Sequence, residues 1–172
     1  MRSPTPSCPD LRCADPEGFL PATDEEQVRL VAEVGLVAAL LDKKISREKT
    51  DALVTAIRLL PGLKTLTEEQ VNVLLANAGH RTGTGETWMC EIAHRLTIPG
   101  LRRVAFRMAA MFCSWDGIID DDEQGYLDFL ARAFAFSPDQ ASLLFAEATG
   151  HDEAFVSLLT PPPSVHSDSD MT

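Results

Sequence analysis

The stretch Trp115-Asp116-Gly117-Ile118-Ile119-Asp120-Asp121-Asp122-Glu123 joins two helical patterns and indicates how the chain folds. Apolar residues recur at helical spacing on both sides of it: Ala105, Met108, Ala109 and Phe112 before, and Leu127, Leu130, Ala131 and Phe134 after. Gly117 can adopt the positive φ that ends a helix, and Asp120 with Glu123 has the spacing of a capping box. The stretch therefore predicts two helices joined by a short, capped turn.

The same periodicity extends over the rest of the body of the chain. It predicts seven helices, at about 24–41, 47–60, 67–78, 86–97, 101–115, 121–136 and 138–148, with a further turn or two over 152–159. No strand-like alternation of useful length is present. The predicted class is all-α, a compact bundle of seven to eight helices.

Two parts of the sequence resemble each other. Residues 42–48 align with residues 116–122 at a shift of 74, and the capping boxes Thr67…Gln70 and Ser137…Gln140 align at a shift of 70. The alignment predicts an internal pseudo-twofold repeat, with the fourth helix as connector and the second helix about one turn longer than the sixth.

Prolines indicate the limits of the domain. Of the 11 prolines, five lie in residues 1–21 and three form Pro161-Pro162-Pro163. We predict disordered tails at 1–22 and 161–172 and one helical domain over 23–160.

Charge is concentrated in the last third of the chain. Residues 1–107 hold 14 acids and 14 bases, whereas residues 108–172 hold 12 acids and one base, Arg132, which accounts for the net charge of −11. The balance argues against a nucleic-acid partner and favours a cationic one, either a metal ion or a protein with a basic surface; solubility alone is the alternative. Because the sequence shows neither a long apolar stretch nor a signal peptide, we expect no transmembrane segment and a cytoplasmic location.

The acidic stretch supports two interpretations. In the first, Asp120 and Glu123 cap a helix and the neighbouring acids face its positive end. In the second, the acids bind a divalent cation, because Asp116 lies at a helix C-terminus, where an anion is disfavoured, and Asp42 lies in the same position after the first helix. The D-G-x-I-x-x-x-E spacing matches the second half of an EF-hand calcium loop, but Phe112 replaces its first ligand, so a full EF-hand is excluded.

These features resemble the TerB family of tellurite-resistance proteins over about residues 25–150. The resemblance rests on the two helical copies and on the stretch Ala109–Ala131, and it is weaker in the first copy, which has Lys43 in place of the glycine. It implies a seven- to eight-helix fold and a bacterial stress-response role, and it does not imply an established enzymatic reaction. Its pattern points to five candidate ligands for calcium or magnesium: Asp116, Asp120 and Glu123, and in the first copy Asp42 and Glu48.

Three functional hypotheses follow. The chain binds a divalent cation, a partner protein or both through the acidic stretch; or it is a cation-independent interaction module; or it is a metal-dependent enzyme that uses Glu91 and His94. An E-x-x-H pair occurs at Glu91 and His94, but a di-iron site needs a second such pair and the sequence has none. We therefore expect a protein that is not an enzyme.

Overall fold

A computed structural model describes residues 22–41, 46–82 and 86–150. In that part of the chain it contains seven α-helices and no strand. Their bounds are α1 Asp24–Leu41, α2 Arg47–Leu59, α3 Glu68–Thr82, α4 Glu86–Arg95, α5 Pro99–Cys113, α6 Asp121–Ala133 and α7 Pro138–Thr149. The predicted all-α class is confirmed.

Helix α1 lies at the centre of the bundle. Apart from Arg29, every residue from Gln27 to Ala39 is buried, so this helix has almost no solvent-facing side. Its most extensive packing is along α5, also rich in buried apolar residues. The two helices are in close contact at Gly35, where an added Cβ atom would lie 2.7 Å from Cε of Met108, at the end of a flexible side chain, and 3.5 Å from its Cβ.

The other helices surround this central pair. Helices α2 and α3 pack against α1, and α6 and α7 pack against α5. Helix α4 meets α6, and the buried Trp88 ring stacks on the Tyr126 ring at a centroid distance of 6.3 Å. The Tyr126 hydroxyl donates to the Val34 carbonyl at 2.9 Å, so α6 is also tied to the central helix.

A side chain of α1 organises the start of α5. The buried Gln27 accepts, through Oε1, the backbone N–H groups of Thr97 at 2.9 Å and Ile98 at 3.0 Å. Helix α5 begins at Pro99, two residues before the predicted start, because proline is favoured at the first helical position, where no N–H group is needed.

Two details of the predicted helices were wrong. Helix α3 continues through Gly79 to Thr82, since a glycine inside a helix lowers its stability without having to end it. Helices α2 and α6 both have 13 residues, so neither is a turn longer. The extra residues of the first half lie in the connection 60–67, which buries Leu60 and Leu63 in the core, whereas α6 and α7 are joined by residues 134–137 alone.

The domain limits at 23 and 160 remain predictions. Helix α1 begins at Asp24, next to the first limit. Residues 1–21 and 151–172 lie outside the described part of the chain, and with them most of both tails and the segment 152–159. None of the described helices is both long and apolar enough to cross a membrane.

The contact between Gly35 and Met108 gives a prediction about stability. We expect Gly35→Leu to lower the free energy of unfolding by about 1–3 kcal/mol, since the new side chain forces α1 and α5 apart. The matched control is Gly79→Leu, at an open helical position where an added Cβ meets nothing within 4 Å. That change should leave stability unchanged or raise it by up to about 1 kcal/mol. Urea unfolding checks both, and equal effects would contradict the close approach.

Candidate interaction surface at the acidic turn

The backbone between α5 and α6 forms a defined turn. The Ser114 hydroxyl and N–H both bind the Ala110 carbonyl, at 2.7 and 3.0 Å, and complete the end of α5. The Gly117 N–H donates to the Ser114 carbonyl at 2.9 Å. Gly117 has φ +80°, a conformation that other residues rarely adopt, and this sharp change of direction leads the chain towards α6.

Asp116 stabilises this turn locally. Its Oδ1 atom accepts the Ile118 backbone N–H at 3.0 Å, and the side chain is exposed to solvent. Such a bond between an aspartate and the N–H two residues later is typical of turns. The position of Asp116 after a helix end therefore has a structural explanation that requires no cation.

Asp120 and Glu123 form the capping box that the first interpretation predicts. Oδ1 of Asp120 accepts the Glu123 N–H at 2.8 Å, and Oε2 of Glu123 accepts the Asp120 N–H at 3.0 Å. Asp120 is exposed, whereas Glu123 is only 3% exposed and extends into the core. Both carboxylates thus bind the backbone at the start of α6.

The described residues do not assemble a metal-binding group. No three His, Cys, Asp or Glu side chains of this part of the chain lie together in an arrangement that could hold a metal ion, so Asp116, Asp120 and Glu123 do not form one. Of the candidates in the first half, Glu48 is exposed in the first turn of α2, and Asp42 lies outside the described residues. The assignment of these five residues to a cation site remains a prediction.

Two large apolar side chains are exposed at the turn. Ile118 is 72% exposed and Trp115 is 39% exposed. The Trp115 ring stacks on the buried Phe112 ring at a centroid distance of 5.9 Å and an angle of 15°, so its orientation is fixed while part of it faces solvent. The sequence analysis missed both residues, because the helical period places Trp115 with the core residues Met108 and Phe112.

The surroundings of this apolar pair are acidic. Asp116 lies between the two residues in the sequence, Asp121 and Asp122 follow shortly after, and all three are exposed; the sequence has no Lys, Arg or His between Arg107 and Arg132. We call Trp115, Asp116, Ile118, Asp121 and Asp122 the acidic turn surface. It combines two exposed apolar side chains with negative charge that no neighbouring base in the sequence offsets.

Charged groups also lie beneath this surface. Lys49, in the first turn of α2, is 1% exposed, and Cys113, at the end of α5, is also 1% exposed. Burial raises the pKa of the Cys113 thiol to about 12; Glu123 and Asp120 add to the rise, and Lys49 opposes it. Lys49, Glu123 and Cys113 therefore share one buried region where the starts of α2 and α6 meet the end of α5.

The buried lysine was not foreseen. The sequence shows only that Lys49 is the third residue of α2, as Glu123 is of α6. The only sequence signal for this burial is that a lysine and a glutamate occupy the same position in their two helices. An amphipathic pattern alone places a lysine in solvent.

Glu91 of the enzyme hypothesis forms an ordinary ion pair within its own helix. Oε1 of Glu91 accepts Nη1 of Arg95 at 2.7 Å, one helical turn away, and Arg95 also pairs with Glu26 at 3.3 Å. Glu91 and His94 are both half-buried.

Comparison with protein-family models, with curated proteins and with solved structures gives no match. The resemblance to the TerB family therefore remains an expectation based on the residues quoted above.

The Cys113 thiol gives a prediction about alkaline pH. Its pKa rises from 9.0 to about 12 in the folded protein, so above pH 9 the unfolded chain releases a proton that the folded chain retains. The free energy of unfolding should therefore fall with rising pH, by up to about 1 kcal/mol per pH unit. Between pH 8.5 and 10, the free energy of unfolding should fall less steeply with pH in Cys113→Ala than in the unaltered protein, whatever the variant's stability at pH 7.

Urea unfolding under reducing conditions measures this slope. Cys8, Cys13 and Cys90 are present in both proteins, so the difference isolates Cys113. The buried Tyr126 hydroxyl, whose pKa is also raised by burial, begins to contribute at about pH 9, but it is present in both proteins and its contribution cancels in the difference. Identical slopes in the two proteins would contradict a neutral, buried thiol.

Proposed function

We propose that the chain is a cation-independent protein-interaction module that binds its partner through the acidic turn surface. The observation that carries the proposal is the exposure of Ile118 and Trp115 among exposed aspartates on a turn held by hydrogen bonds. Partly buried aromatic and aliphatic side chains on a rigid support are the usual anchors of protein interfaces. A turn that is already ordered also loses little conformational entropy on binding.

The charge of the surface indicates the chemistry of the partner. Asp116, Asp121 and Asp122 would face lysine or arginine side chains, while Ile118 and the exposed part of Trp115 would enter an apolar pocket between them. Opposite charges around the rim mainly accelerate association and select the partner, and burial of the two apolar side chains supplies affinity. The expected partner is therefore a protein segment with basic residues beside an apolar one.

Local hydrogen bonding supports independence from cations. Asp116 binds the Ile118 N–H, and Asp120 and Glu123 bind each other's backbone, so the three candidate ligands have structural roles without a metal ion. Binding a cation through the same oxygens would have to replace or share these bonds. The cation-binding hypothesis is for this reason the second choice.

The helix positions support a two-copy architecture, which we propose as the basis of the fold. Helix α6 begins 74 residues after α2, and α7 begins 70 residues after α3. In both halves one long helix packs against the next two, α1 with α2 and α3, and α5 with α6 and α7. Membership of the TerB family, with its stress-response role and its link to tellurite, rests on the resemblance alone.

A peptide titration followed by NMR tests the interaction. The probe is a short amphipathic peptide of lysine and leucine, added to the full-length ¹⁵N-labelled protein. We expect shifts centred on the Trp115 indole and the Ile118 amide, and about tenfold weaker binding for Ile118→Ser, the effect of losing roughly 1.4 kcal/mol of apolar burial. The double variant Asp121→Asn/Asp122→Asn should bind more weakly and depend less on salt.

Matched variants elsewhere on the surface serve as controls. Leu143 is also exposed and apolar, and Asp139 is an exposed acid in the first turn of α7. Leu143→Ser and Asp139→Asn should bind as the unaltered protein does, and a peptide with glutamate in place of lysine should not bind. Shifts spread over the whole molecule, or equal losses in Leu143→Ser and Ile118→Ser, would overturn the proposal.

Thermal unfolding with added ions separates the two hypotheses. We expect no change in Tm when calcium or magnesium is added to chelator-treated protein, whereas ligand at 100 times its Kd would add about 2.7 kcal/mol. Asp116→Asn and Glu123→Gln remove charge but can keep the hydrogen bonds, as Gln140 does in the capping box of α7, where its Oε1 accepts the Ser137 N–H at 3.0 Å. A rise in Tm that both variants abolish would favour the cation site.

A further inference from the structure

A second surface feature lies where α5, α6 and α7 meet. It is a groove of about 740 Å³ that is mostly apolar. Its apolar wall is formed by Phe106, Leu127, Ala131, Phe136, Ala141 and Phe145. Asp128 and Arg132 line it as well, one helical turn apart on α6. Ala131, Phe136, Ala141 and Phe145 are only half-buried, so the groove leaves apolar surface in contact with solvent.

In the proposed two-copy architecture, the first half carries larger side chains at the matching positions. Ile57 is the eleventh residue of α2 and Val71 the fourth of α3, and both are buried; the same positions of α6 and α7 hold the smaller Ala131 and Ala141. The long connection between α2 and α3 also buries Leu63. The connection 134–137 places Phe134 in the core and Phe136 in the groove wall. Ala131 and Ala141 thus line the groove at positions where α2 and α3 carry the larger Ile57 and Val71.

The chain itself contains a segment suited to this volume. Beyond Gly150 the sequence continues for 22 residues, and positions 154–159 read Ala-Phe-Val-Ser-Leu-Leu, with five apolar residues out of six. Asp152 and Glu153 precede this segment, and Pro161 follows it closely. Such an apolar run favours burial, since water does not solvate it well.

The segment can reach the groove. Along α7, Pro138 is about 18 Å from Gly150, at 1.5 Å per residue. Position 159 lies nine residues beyond Gly150, and an extended chain of that length spans about 30 Å. The end of the segment can therefore return along α7 as far as Pro138.

We propose that residues 154–159 of the same chain occupy the groove between α5, α6 and α7. Phe155 and the leucines cover the half-buried phenylalanines and fill the space beside Ala131 and Ala141. The short connection keeps the segment at an effective concentration in the millimolar range, so even a weak contact is well populated.

Methyl NMR on the full-length protein tests this contact. We expect NOEs between the Phe155 ring and the methyl groups of Leu127, Ala131 and Ala141. They should persist on tenfold dilution, because the contact is intramolecular. Shifts of the groove methyl groups should change in Phe155→Ser/Leu159→Ser and remain unchanged in Val165→Ser, which alters an apolar residue beyond the three prolines.

A groove-filling variant provides the reciprocal test. Ala131→Ile copies the residue found at the equivalent position of α2 and should weaken the Phe155 NOEs to the remaining methyl groups several-fold. Leu143→Ile, on the exposed part of α7, should leave them unchanged, and unaltered shifts in α1 verify that each variant is folded. Absence of the NOEs in the unaltered protein, their loss on dilution, or their persistence in Ala131→Ile would overturn the proposal.

Discussion

The close packing of α1 on α5 is the constraint on which the rest of the fold depends. A helix buried on nearly every side needs neighbours all round it, and α2, α3, α5 and α6 supply them. The central pair is in close contact at Gly35, where Met108 occupies the space that a larger residue would need. The outer helices then cover the rest of the apolar surfaces of α1 and α5. The backbone polar groups at the ends of these outer helices have to be satisfied by local hydrogen bonds.

Those helix ends explain most of the acidic residues. Asp116 and Asp120 look like metal ligands in the sequence, yet each accepts a backbone N–H of the turn or of α6. A capping carboxylate also interacts well with the positive end of the helix dipole, so this use is favourable in itself. What the caps leave unexplained is the exposed apolar pair within the acidic region, and that pair carries the functional proposal.

The sequence predicted the helices well, because their apolar periods are long and their caps are explicit. The starts of α1, α2, α6 and α7 were predicted within a residue, and the capping box at Asp120 is confirmed. Long-range contacts were out of reach. Gln27 accepts N–H groups of residues 97 and 98, and Lys49 is buried near Cys113; both depend on how distant helices meet, which local periodicity does not specify. The exposure of Trp115 was missed for the opposite reason, because its position in the helical period is that of a core residue.

Helix α6 contributes to both proposed contacts, but through different parts. Its first turn carries Asp121 and Asp122 of the acidic turn surface, and its second half carries Leu127 and Ala131 of the groove. Asp121 and Ala131 are about 15 Å apart along the helix axis, at 1.5 Å per residue. Substitutions at that separation with no shared partners usually act additively. The two proposals rest on different residues of α6, so the failure of one contact would leave the physical basis of the other intact.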